Sequence, residues 1–163
     1  MLAPKPPVKI PVLWRDLSSI RSCMDEVFRC STAFGDCKTW APSSGHCLLV
    51  AMVLQELYGG EIRTSLVEGV PHYWNRIPYV GGDGELEVDL TVDQFGRDPI
   101  LVRHRIKAQS SRFSRERGRP LPDKHPQATR LYREFLGNLL PTLEARGLDL
   151  ESQILRSGFF PVK

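Results

Sequence analysis

The sequence predicts an α+β domain in which a buried central helix packs on an antiparallel sheet. Two observations carry this. From Cys47 to Tyr58 the apolar residues Leu48, Leu49, Met52, Val53, Leu54 and Leu57 fall almost all round a helical wheel, as in a helix covered on every side. After Gly59-Gly60 the period switches to segments rich in β-branched and aromatic residues. One helix followed by a run of strands marks an α+β chain rather than an alternating one. With 163 residues, 41% hydrophobic and 25% charged, the chain suits one domain with a real core.

Along that domain, residues 1–12 read as a proline-rich arm, with three prolines between Pro4 and Pro7. Residues 13–96 form the core region. Helical spacing of Ile20, Met24, Val27 and Phe28 predicts a first helix from Leu13 to about Phe34. A turn-rich loop, Gly35 to Gly45, leads into the central helix. Glu61–Gly69 and Pro71–Val80 read as strands, Gly81–Gly84 as a hairpin turn, and Glu85–Val92 as a third strand alternating Leu86, Val88 and Leu90 against acidic residues. Residues 97–126 lose periodicity and read as a basic loop. Residues 127–163 form a helical C-terminal region, with Leu131, Phe135, Leu139 and Leu140 on one face.

Net charge is +3, too little to point to a partner, but its distribution is uneven. Arg97 to Arg130 holds ten Lys/Arg against three Asp/Glu. A solvated loop explains such a run, and an acidic partner or nucleic acid is the alternative. Phe113 is the only aromatic residue there, so the interleaved aromatics of single-strand binders are missing. No segment reaches the ~20 apolar residues of a membrane span, and the first residues lack the apolar stretch of a signal peptide.

Four cysteines, Cys23, Cys30, Cys37 and Cys47, lie in the first third of the chain. In a domain large enough to fold without staples they read as reduced, which predicts a cytoplasmic protein. The sevenfold spacing of the first three repeats one helix face and is too wide for the close ligand pairs of zinc sites. No metal and no cofactor are expected.

Cys47 stands where Ser43-Ser44-Gly45 meets the central helix. Alone it reads as a buried thiol. At a helix N-terminus, however, positive charge favours a thiolate. His72 follows on the second strand and Asp89 on the third, in the order that nucleophilic catalysis uses: thiol, imidazole, orienting carboxylate. Centring the turn on Gly82-Asp83 sets His72 opposite about position 93. Asp93 shares strand parity with Asp89 and rivals it. His46 adjoins Cys47, but neighbours on a helix point ~100° apart, so it suits shaping a pocket better than acting as base. Trp74 shares the face of His72 and could screen it. Tyr73 and Asn75 face the other way and read as structural. Trp40, Ser44 and Gly45 precede the nucleophile and are expected to line its pocket, with Gly45 admitting substrate closely.

Cysteine at the start of a buried helix, "HYW" on a strand and "VDLT" on the next resemble the papain-like and transglutaminase-like cysteine enzymes. More narrowly, "PSSGHC…VLQELYGGEI…HYWNRI…EVDLTVDQF" is similar to the bacterial YunG-like proteins, over about Trp40 to Phe95. The resemblance implies Cys47 as nucleophile, His72 as base and acid, and Asp89 as the third member. It implies a hydrolase or acyltransferase acting on an amide, ester or thioester in a peptide, protein or small molecule. Papain-like enzymes often carry a glutamine shortly before the nucleophile. Here those positions are Trp40, Ala41 and Pro42, leaving Thr39, Ser44 or the His46 backbone to donate to an oxyanion. The alternative expectation is a non-catalytic binding module that keeps the fold and uses residues 97–130 for an acidic partner or nucleic acid.

Overall fold

The computed structural model describes residues 14–34, 37, 41–78, 84–96, 98–105, 119–120 and 126–147. The proline-rich arm, Thr39, Trp40, Gly81–Asp83, Phe113 and the chain beyond Gly147 lie outside them.

Helix α1 spans Trp14–Asp25 and stops well before Phe34. Its last turn tightens, with the Glu26 and Val27 amides donating to Cys23 and Met24 carbonyls at 3.2 and 2.9 Å. The chain then runs extended at Arg29 into a short 3-10 turn, Cys30–Thr32. The cysteine spacing therefore does not repeat one helix face. Cys30 and Cys37 form a disulfide across this turn, with Cα atoms 5.4 Å apart, and only Cys23 and Cys47 are free. This corrects the reading of four reduced thiols, because the backbone doubles back to bridging distance. Such bridges belong to oxidising compartments, so the cysteines no longer point to the cytoplasm.

Helix α2, Cys47–Tyr58, ends at Gly59, whose amide donates to the Gln55 carbonyl at 2.8 Å. At Gly60, with φ +79°, a Cβ would lie 2.2 Å from the Arg76 carbonyl oxygen, so the passage into the sheet requires glycine. The strands are β1 (Glu61–Val67), β2 (Val70–Pro78), β3 (Glu85–Asp89), β4 (Leu101–Arg105) and the two-residue β5 (Arg119–Pro120). They form one antiparallel sheet in the order β4-β3-β2-β1-β5. Glu68 and Gly69, both at positive φ, make the two-residue turn between β1 and β2, matching the twist of the paired strands.

Two details differ from the sequence reading. The region expected to be a basic loop contributes β4, where Val102 pairs with Val88, and β5; five-residue strands are too short for their alternation to stand out. Strand β3 ends at Asp89 instead of Val92, because the Asp89 side chain accepts the Thr91 amide at 2.9 Å and turns the backbone out of the ladder. Residues Val92–Phe95 then form a second 3-10 turn. Asn75 pairs with Val88, so the ladder extended would set His72 opposite Thr91 rather than 93.

Helix α3 runs from Pro126 to Ala145 and continues through Pro141. The core joins Leu17, Ile20 and Met24 of α1, Leu49, Val53 and Leu57 of α2, Ile77, Val88 and Leu90 of the sheet side, and Tyr132, Phe135 and Leu139 of α3. Burial of these side chains stabilises each by about 1.5–3 kcal/mol relative to exposure. The core also presses α2 against the sheet. Asn75 fixes that contact, its side-chain amide donating to the Ala51 carbonyl at 2.8 Å while buried. A residue three positions after His72 is thus tied to one four positions after Cys47.

Candidate active site

Cys47 is the first residue of α2, and the first helical hydrogen bond runs from the Val50 amide to the His46 carbonyl at 2.9 Å. The amides of Cys47, Leu48 and Leu49 therefore precede the helical ladder and concentrate the positive end of the dipole beside the sulfur. The loop before the helix is held by the Ser44 amide on Ala41 O and the His46 amide on Ser43 O, both 2.9 Å. Gly45 takes φ 75°, and its carbonyl accepts the Phe34 amide at 2.6 Å.

His72 is buried, and its Nε2 lies 2.5 Å from Asp89 Oδ2. Asp89 Oδ1 accepts the Thr91 amide at 2.9 Å and the Thr91 hydroxyl at 3.1 Å. Three donors thus converge on one carboxylate. Cys47 stands beside the imidazole and helps to hold it in its charged form. With Nε2 occupied by Asp89, Nδ1 is the nitrogen left for the sulfur. Burial alone would lower the pKa of His72, but Asp89 outweighs it and Cys47 adds to the effect, so the imidazolium pKa is pushed up to about 10. Trp74 stacks on the ring with centroids 6.0 Å apart, and Phe95 meets it edge-on at 4.9 Å.

Asp93 sits elsewhere. Its carboxylate takes two bonds from the Arg21 guanidinium, each 3.0 Å, and one from the Ser43 hydroxyl. Burial would raise its pKa, but Arg21 and Ser43 hold it below the ordinary carboxylate value. Asp89 is the carboxylate on His72, whereas Asp93 joins α1, the loop before Cys47 and the 3-10 turn. His46 lies behind the site with no exposure, its Nδ1 donating to Ser44 O at 3.0 Å and its Nε2 2.8 Å from the Thr32 hydroxyl. The rings of Phe28 and Phe135 flank it at 4.8 and 5.6 Å, and burial lowers its pKa.

Cys47 opens onto a cavity of about 350 Å³ whose walls include Ser44, Gly45, Tyr73, Gln94 and Phe95. Tyr73, read from strand parity as structural, is therefore part of the wall. The residue that sequence reasoning missed is Gln94. Its side-chain amide nitrogen lies 3.2 Å from His72 Nδ1 and 3.0 Å from the Thr91 carbonyl. Its position one residue after Asp93 carried no signal, since only the 3-10 turn aims it at the imidazole. Among the described residues no group of His, Cys, Asp and Glu could hold a metal ion, and no helix is long and apolar enough to cross a membrane.

The architecture is that of an α+β protein carrying cysteine, histidine and aspartate at the junction of a helix N-terminus and two neighbouring strands. The YunG protein family matches residues 16–127, and the chain belongs to that family. The match takes in α1 from Asp16 onward, the whole sheet, and Cys47, His72, Asp89 and Gln94 of the site. No curated protein and no solved structure matches the chain.

Proposed function

We propose that the protein is a cysteine-dependent hydrolase or acyltransferase, built like the papain-like and transglutaminase-like enzymes, that attacks an amide, ester or thioester through Cys47, His72 and Asp89. The observation that carries this reading is His72 Nε2 on Asp89 at 2.5 Å, with Cys47 at the helix N-terminus beside the same imidazole. With the proton on His72, Cys47 and His72 form a thiolate–imidazolium pair, and the thiolate attacks the carbonyl carbon. The developing oxyanion is met by the amides at the start of α2, which precede the helical ladder. The imidazolium returns its proton to the leaving amine, alcohol or thiol, which leaves an acyl group on sulfur. Water or an acceptor amine then resolves it, with His72 again taking a proton. No described residue lining the cavity is charged, which favours an uncharged acyl group.

Iodoacetamide labelling across pH tests this reading, with Cys23 as internal control because burial pushes its thiol pKa up. Cys47 is expected to react at neutral pH about tenfold faster than Cys23 or more, and His72→Ala to abolish the difference. A neutral acyl thioester is expected to leave its acyl mass on Cys47. Equal labelling rates with no acyl adduct would overturn the proposal. Salt-sensitive binding of an acidic partner that survives Cys47→Ala would favour the binding module instead.

A further inference from the structure

Gln94 faces the same imidazole nitrogen as the thiol, and its orientation can be worked out atom by atom. The side-chain nitrogen lies 3.0 Å from the Thr91 carbonyl oxygen, which only accepts. Turning the amide over would set oxygen against oxygen, so the NH2 group faces Thr91 and, at 3.2 Å, His72 Nδ1. An N–H aimed at Nδ1 is satisfied only if that nitrogen keeps its lone pair. Asp89 on Nε2 requires a proton on the opposite side of the ring. Together they select one state, the neutral tautomer with Nε2–H. Gln94 is 8% exposed, so water does little to replace the bond.

We propose that Gln94 is a positioning residue for His72: its amide donates to the Nδ1 lone pair of the neutral ring, fixes that ring as the Nε2–H tautomer able to take a proton at Nδ1, and so opposes the protonation that Asp89 and Cys47 favour. This rests on the reading of Cys47 and His72 as nucleophile and base. When the thiol proton arrives, the S–H bond breaks, an Nδ1–H bond forms, and the pair becomes thiolate and imidazolium. The Gln94 N–H must then turn away. The Thr91 hydroxyl, 3.3 Å from the same nitrogen, is placed to accept it, because its own hydrogen is directed at Asp89. Gln94 thus opposes Asp89 and Cys47, which both favour the charged ring. Among the described residues these two, from β3 and α2, are the titratable groups on His72; the neighbouring Trp74 and Phe95 rings are uncharged.

The test is an NMR titration of the His72 ring nitrogens in the full chain, comparing wild type with Gln94→Met and Gln94→Glu, both close to glutamine in size. Loss of the donor in Gln94→Met is expected to move the His72 midpoint up by about one pH unit. Gln94→Glu, which puts an acceptor at Nδ1, is expected to move it further up. In wild type the neutral population is expected to show the Nε2–H tautomer. Unchanged or lowered midpoints in both variants, or an Nδ1–H tautomer in wild type, would overturn the proposal. The titration does not depend on Cys47 chemistry. If Gln94 moves the midpoint but iodoacetamide does not prefer Cys47, the nucleophile reading fails while the assignment of Gln94 to His72 stands.

Discussion

Replacing Arg21 by methionine keeps an unbranched apolar stem and removes a guanidinium whose side chain is only 5% exposed. Its two terminal nitrogens donate to the two oxygens of Asp93 at 3.0 Å each, and Nη1 also reaches the Leu90 carbonyl at 2.5 Å. Charge-assisted bonds of this kind contribute about 1.5–3 kcal/mol apiece. The larger loss comes from what remains: Asp93, with 15% side-chain exposure, keeps the Ser43 hydroxyl as a donor and loses its countercharge. Removing one partner of a buried pair costs about 3–5 kcal/mol, a large share of a typical stability of about 5–15 kcal/mol. Urea unfolding at neutral pH of wild type, Arg21→Met, Asp93→Asn and the double variant measures this. Arg21→Met is expected to lose about 3–5 kcal/mol, and the double variant to lose less than the two single losses added. The pH dependence has a definite sign. Asp93 titrates below the ordinary 3.8 in the folded state, so its stability is present above that value and lost as pH falls through the folded pKa. The gap between wild type and Arg21→Met should therefore close in acid. A loss below about 1 kcal/mol, the worth of a surface pair, or a gap that persists at low pH would refute the reasoning.

Asp89→Asn removes the carboxylate that outweighs burial at His72. Because the folded pKa of about 10 lies above the ordinary 6.5, His72 contributes stability that is fully present below 6.5 and lost as pH rises through 10. The variant should flatten that dependence in chemical unfolding and slow Cys47 alkylation about tenfold or more; superimposable pH profiles would contradict the assignment. Alkylation under denaturing, non-reducing conditions should label Cys23 and Cys47 alone, and all four cysteines after reduction. Opening the Cys30–Cys37 bridge, which closes a loop with a sequence separation of 7, should cost about 2–3 kcal/mol on the chain-entropy account, and an unchanged unfolding midpoint on reduction would count against it.

Local patterns in the chain were enough to read much of this protein. The all-round apolar run after Cys47, the glycine pair that ends it and the alternation from Glu61 to Asp89 express one helix and three strands, because side-chain period follows backbone geometry within a few residues. The order of Cys47, His72 and Asp89 on those elements was legible for the same reason. The limit of strand β3 was not, since the bond that ends it comes from the Asp89 side chain to Thr91.

Parity gave Asp89 and Asp93 equal standing; only the turn after Asp89 sends one to His72 and the other to Arg21, 72 residues away in sequence. The Cys30–Cys37 bridge depends on the chain doubling back, and Gln94 meets His72 through a 3-10 turn with no sequence signal of its own. Hydrogen-bond partners distant along the chain are set by how the elements pack, and neither residue type nor spacing encodes that. The sequence by itself therefore determined the elements and the chemical types along them, while the tertiary structure decided which side chains share a proton.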